Sequence, residues 1–178
     1  MMLRNTEYLR YLRERQASTS IGASTARGMG PKGTIQAARA FLGKLQLERF
    51  HKKSEADFLT ELNQVTNELK ASLPKDARKW GSARKFINIF LRGCTYNKHL
   101  CAHHKLHSIE SWLEVPLDSH VAKGLKQIAG RGKLPRWPGV IHLTPKDSAR
   151  FQAFASEAAR TEGVNRVDLD VKFWRRVG

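Results

Sequence analysis

Two side chains in this sequence have types and surroundings suited to chemistry on an electrophilic carbon: the amine of Lys85 and the carboxylate of Asp118. Lys85 follows Trp80-Gly81-Ser82-Ala83-Arg84 and precedes an apolar run, Phe86-Ile87-Asn88-Ile89-Phe90-Leu91. A glycine turn opening a helix places such an amine one turn in. Asp118 follows Val115-Pro116-Leu117 and precedes Ser119-His120-Val121. Proline limits the segment, and an aspartate in that position caps a helix start. A neutral amine attacks carbon, and a nearby carboxylate accepts its proton or steadies positive charge.

The elements that position this pair read as helices. Residues 3–15 form a charged helix, and 18–33, rich in Gly, Ser and Thr, form a loop. That loop contains no Gly-x-x-x-x-Gly-Lys-Ser/Thr pattern, so a nucleotide-binding P-loop is not expected. Ile35, Ala38, Phe41, Leu42 and Leu45 share a face of a helix from Thr34 to about Leu47. Ser54 caps the next, in which Phe58, Leu62, Val65 and Leu69 recur at core spacing until Pro74 stops it. After Gly81, Ala83, Ile87, Phe90, Leu91 and Cys94 make an apolar stripe. Lys85, Asn88 and Arg92 lie on the opposite face, which reads as outside the core. Asp118 or Ser119 starts a helix to about Ile128, and another spans Lys146 to Thr161 with Gly163 as its stop. In the tail, Val167, Leu169 and Val171 alternate, which admits a short strand. The whole reads as one all-α domain over 1–178, with the chemistry between about 74 and 128.

Charge narrows the partner. The chain has 178 residues, with 32 Lys+Arg against 16 Asp+Glu, a formal net charge of +16. Such an excess points to a polyanion, above all nucleic acid. No apolar run approaches the ~18 residues of a membrane span, and the arginine-bearing N-terminus does not read as a secretory signal. Two cysteines, Cys94 and Cys101, suit a reducing cytoplasm and cannot build a four-cysteine cluster. Together with His99, His103, His104 and His107 they offer metal donors. Their spacing matches no standard zinc finger, and an insert lying along DNA is the expected role.

The motifs resemble a known family. Gly81-Ser82-Ala83-Arg84-Lys85-Phe86-Ile87-Asn88 resembles the hairpin and following helix of the helix-hairpin-helix DNA glycosylases, the endonuclease III superfamily. Ala83 stands where the second hairpin glycine is usual. Pro116-Leu117-Asp118-Ser119-His120-Val121 is similar to the segment carrying that family's catalytic aspartate. The interval between Lys85 and Asp118 is longer than in endonuclease III and looks more like that of archaeal 8-oxoguanine glycosylases. Asp168-Leu169-Asp170-Val171-Lys172-Phe173-Trp174 is similar to their C-terminal base-pocket segment.

The resemblance implies a helix-hairpin-helix glycosylase-like fold and a monomer acting on double-stranded DNA that holds a modified or damaged base. It implies Lys85 as Schiff-base nucleophile, Asp118 as its charge-stabilising partner, and Asp170 and Trp174 as base contacts. Lys79, Gly81, Arg84, Asn88 and Arg92 would then grip phosphate. No cofactor or metal is needed for lysine chemistry. The role would be base-excision repair or defence against modified invading DNA, in the cytoplasm with the nucleoid. The base stays open, as does the choice between an enzyme and a non-catalytic DNA-binding protein. A His/Cys metal nuclease or RNA-binding factor is a third reading. No role is assigned to Trp112, Trp137 or His120.

Overall fold

Helix starts in this chain carry their own signals. Ser54 Oγ accepts from the amide of Asp57 at 3.1 Å and opens α3. Thr144 Oγ1 does the same for Asp147 at the head of α7. Such a cap satisfies one orphan amide and contributes about 1 kcal/mol. Gly163, in the left-handed region at φ 69°, ends α7, a conformation glycine takes without a Cβ penalty.

The computed structural model describes residues 2–174, with side chains over 6–173. Eight α-helices follow in order: α1 Met2–Ser20, α2 Thr34–Lys44, α3 Glu55–Ser72, α4 Trp80–Tyr96, α5 Lys98–His103, α6 Ser119–Ala129, α7 Pro145–Glu162 and α8 Leu169–Trp174. Short 3-10 turns at Leu47–Phe50, Lys75–Ala77, Leu106–Trp112, Val140–His142 and Arg166–Asp168 link them. The chain is all-α, and there is no strand among the described residues. No helix among them is long and apolar enough to cross a membrane.

Two expectations are corrected. The first helix runs to Ser20 rather than ending near residue 15. The tail, read as admitting a strand, is helical from Leu169, and Val171 is exposed. The alternation of Val167, Leu169 and Val171 therefore does not define one buried sheet face.

Apolar side chains gather in two clusters. The larger joins α1–α4 and includes Ile21, Leu42, Phe50, Phe58, Leu69, Phe86 and Phe90, all fully buried. The smaller joins α6, α7 and α8 around Val121, Leu125, Phe151 and Phe173. Helix α4 lies against α1, α2, α3 and the Val140–His142 turn. Every residue from Gly81 to Asn88 is consequently buried.

This placement corrects the amphipathic reading of α4, since its polar face is covered too. Gly81 is where the cover comes closest. A Cβ there would stand 2.1 Å from the Val140 carbonyl oxygen and 2.8 Å from Leu143 Cβ. Gly81→Ala forces backbone apart and should cost about 1–3 kcal/mol. The check is a urea unfolding midpoint that falls while its slope stays constant. An unchanged midpoint would mean the turn yields freely.

Candidate active site

The segment after the Leu106–Trp112 turn is fastened on both sides before it delivers Asp118. Glu114, buried, takes two parallel bonds from Arg84: Nε to Oε2 at 2.8 Å and Nη2 to Oε1 at 3.0 Å. Asn88 Nδ2 donates to the same Oε2 at 3.0 Å. Arg84 Nη1 also donates to Asn63 Oδ1 and Thr66 Oγ1, and its guanidinium lies over the Trp80 ring. On the other side, Gln152 of α7 pairs with the backbone of Val115, accepting from its amide at 3.1 Å and donating to its carbonyl at 2.8 Å. Arg166 donates to the carbonyls of Trp112 and Leu113.

Burial pushes the Glu114 carboxyl up. The Arg84 guanidinium, Asn88 and Arg166 more than offset this and hold it below the usual carboxylate range. The charge is therefore compensated and hydrogen-bonded, as a buried charge must be.

Arg84 is the neighbour of Lys85, and Glu114 lies one turn's worth of chain before Asp118. The Arg84–Glu114 pair therefore sets the register between amine and carboxylate. Asp118 caps α6, its Oδ1 accepting from the amides of His120 at 2.9 Å and Val121 at 3.0 Å. Both cap bonds use Oδ1, so the cap does not occupy Oδ2. The Lys85 amine, on a residue 8% exposed, donates to the Thr25 carbonyl at 3.2 Å. Burial pushes its pKa below the ordinary lysine range, and the negative charge of Asp118 opposes this without cancelling it. Desolvation and the field of a nearby carboxylate are the two opposed influences that poise an amine for proton exchange.

Both residues line a cleft of about 840 Å³. Its walls come from the Ser24–Met29 part of the glycine-rich loop, from α4 through Arg92 and Tyr96, and from Trp137 and the Gly139–Ile141 turn. Asp170 of α8 also lines it. A cleft of this size accommodates a base with its sugar.

The expected site residues divide. Lys85, Asp118, Arg92 and Asp170 share the cleft. Asp170, expected to read a base, forms an ion pair with Arg92, expected to grip phosphate. Lys79 is exposed at the N-cap of α4. Trp174 closes α8, and its side chain lies outside the described residues. Three expectations fail on burial. Arg84 (5% exposed) and Asn88 (3% exposed) are committed to Glu114 and do not face solvent where a phosphate would lie. Gly81 meets the Val140 carbonyl instead of an open hairpin surface. Of the Cys94–His107 donors only His103 and His104 come together among the described residues, and neither cysteine joins them. Cys94 is fully buried with its thiol pushed up by burial, and His99 packs edge-on against Tyr8.

Sequence reasoning missed the loop as a wall and Trp137 as a lining residue. Trp137 had a signal: it sits between Pro135 and Pro138 in a glycine-bounded loop, where proline limits the backbone and fixes the ring's bearing. In the fold its ring stands edge-on to Phe151 at 5.5 Å.

Comparison with protein-family models, with curated proteins and with solved structures finds no match for this chain.

Proposed function

We propose that this chain is a DNA N-glycosylase with AP-lyase activity, built on a helix-hairpin-helix glycosylase-like arrangement. The observation that carries the reading is the Lys85 amine, buried, of lowered pKa and within the field of Asp118, at a cleft of nucleotide size. In this reading α3 and α4, joined through the Lys75–Ala77 turn, are the helical pair corresponding to the hairpin. The +16 charge supports a DNA partner.

In this mechanism the target nucleotide is flipped into the cleft. The bond from C1′ to the base breaks, and positive charge grows on the sugar. Asp118 faces that charge and lowers the barrier. The neutral Lys85 amine forms a bond to C1′, and the base leaves with its electron pair and picks up a proton. The amine's extra proton passes to Asp118 or to the leaving base. Ring opening gives the imine. Loss of a C2′ proton then expels the 3′ phosphate and nicks the strand.

The experiment is borohydride reduction during incubation with duplexes carrying an AP site or single modified bases. A covalent protein–DNA adduct is expected. Absence of any adduct, with AP-site DNA left intact, would sink the lyase claim.

Asp118→Asn separates chemistry from capping. Asparagine caps a helix about as well as aspartate, so the melting temperature should stay within about 1–2 °C of wild type. Base excision should slow on the order of 10²–10³-fold, the loss seen when one charge-stabilising group is removed. DNA affinity should hold. Parallel losses in excision and stability would mean Asp118 is a cap and nothing more.

A non-catalytic DNA grip is the second reading, favoured by the bond that occupies the Lys85 amine at Thr25. It requires steep salt dependence of binding and no adduct under any condition.

A further inference from the structure

Away from the cleft, Glu48 of the Leu47–Phe50 turn meets the end of α5. One ligand atom each from Glu48, His103 and His104 lies within 4.8 Å of the others. His104 is 5% exposed, and its Nδ1 stands 2.9 Å from Glu48 Oε1. A proton on Nδ1 would be donated to that oxygen. A divalent cation can take that proton's place, since an imidazole nitrogen and a carboxylate oxygen this close are both potential ligands once Nδ1 is deprotonated. The His103 ring stands perpendicular to that of His104 at 4.7 Å. The backbone is fixed beneath them, since His51 Nε2 donates to the His104 carbonyl at 2.5 Å.

We infer that Glu48, His103 and His104 form a binding site for a zinc-type divalent cation. Two imidazoles and one carboxylate are a zinc donor set, and such sets leave a fourth position open. That position faces a second cleft of about 520 Å³, which Arg10 and Arg13 also line. These cations set the selectivity. A hard ion bound only by charge, such as Mg²⁺, gains little beside two guanidinium groups. Zn²⁺ draws its affinity from the nitrogen bonds. Arg10 is flanked by Glu7 and Glu14, and Arg13 Nε is spent on the Gly43 carbonyl, which softens the repulsion. Bound metal would clip α5 to the Leu47–Phe50 turn.

The test uses the full chain, stripped with a chelator and titrated with Zn²⁺, Co²⁺ and Mg²⁺ in separate calorimetric runs. One Zn²⁺ per chain is expected, with a rise in melting temperature, and no heat from Mg²⁺. Glu48→Gln and His103→Ala alter exposed side chains, so both should fold. Each should weaken Zn²⁺ by more than about 100-fold, since even outer partners of a ligand are worth 10–100-fold. Cys101→Ser should bind as wild type, and the Co²⁺ complex should lack a thiolate charge-transfer band. No Zn²⁺ binding by wild type, full binding by both ligand variants, or a thiolate band would each overturn the site.

Discussion

Lys85→Gln should abolish borohydride trapping and lower AP-site nicking on the order of 10³-fold or more, as removal of a nucleophile does. The variant should still fold, and the reason lies in the burial of the amine. An ammonium 8% exposed is destabilising where it is charged. Its folded pKa is below its unfolded one, so the unfolded chain binds more protons between the two values. Stability therefore rises with pH across that window and carries the full penalty below it. Glutamine removes the penalty. The variant should melt at or above the wild-type temperature at neutral pH while losing the adduct, the pattern of a residue kept at a cost in stability. For the wild type, the rate of adduct formation should climb with pH and level off below the ordinary lysine pKa. A midpoint at the value of a solvated lysine would show that the amine is not held as described. Circular dichroism melts and single-turnover trapping over a pH series measure all three.

Glu114→Ala should produce the largest loss of stability of any single change discussed. It leaves the Arg84 guanidinium, 5% exposed, with no counter-charge. Removing one partner of a buried pair costs about 3–5 kcal/mol, or roughly 6–20 °C in melting temperature for a chain of this size. Catalysis should fall as well, beyond the fraction unfolded, because the same pair sets the register of Lys85 and Asp118. Replacing both partners, as in Arg84→Met with Glu114→Leu, should recover much of the stability, since apolar isosteres of buried ion pairs are often neutral or better. Activity in that double variant should recover only if packing alone keeps Asp118 in place. Urea midpoints for the two variants, beside trapping rates corrected for folded fraction, separate the contributions. A Glu114→Ala protein as stable as wild type would mean water reaches Arg84.

How far sequence carried the reading depends on the range over which each signal acts. Caps act over three residues, so Ser54 and Asp118 marked their helix starts, and Gly163 marked a stop. Period marked the core face of α3. Pattern also placed Lys85 and Arg92 on one side of α4, and both do face the cleft. It could not say that this side is covered. The partner that buries Arg84 and Asn88 is Glu114, 30 and 26 positions away along the chain, and no local rule reaches that distance. The glycine-rich loop shows the same limit. Composition marked it as a loop, but its place as a wall over Lys85 depends on a carbonyl, Thr25, that every residue type provides. In the tail, alternation competed with a capping box of Asn165 and Asp168. The box is the better local signal, because it satisfies orphan amides whichever face is buried.

Helix α4 is enclosed from Gly81 to Asn88, whereas much of the cleft opposite it comes from loops and a short terminal helix. These two regions tolerate change unequally. Substitutions along the enclosed turns disturb packing on several sides at once, so selection should hold them nearly constant. Side chains on the rim at Ser24, Arg27, Trp137 and Ile141 can vary in type with less effect on the amine behind them, provided the backbone at Thr25 and Val140 keeps its place. On the proposed function, a lineage descended from this architecture could thus acquire new base preferences by exchanging rim side chains alone. Random mutagenesis with selection for a changed target should accordingly yield winners clustered on the rim and almost none between residues 81 and 88.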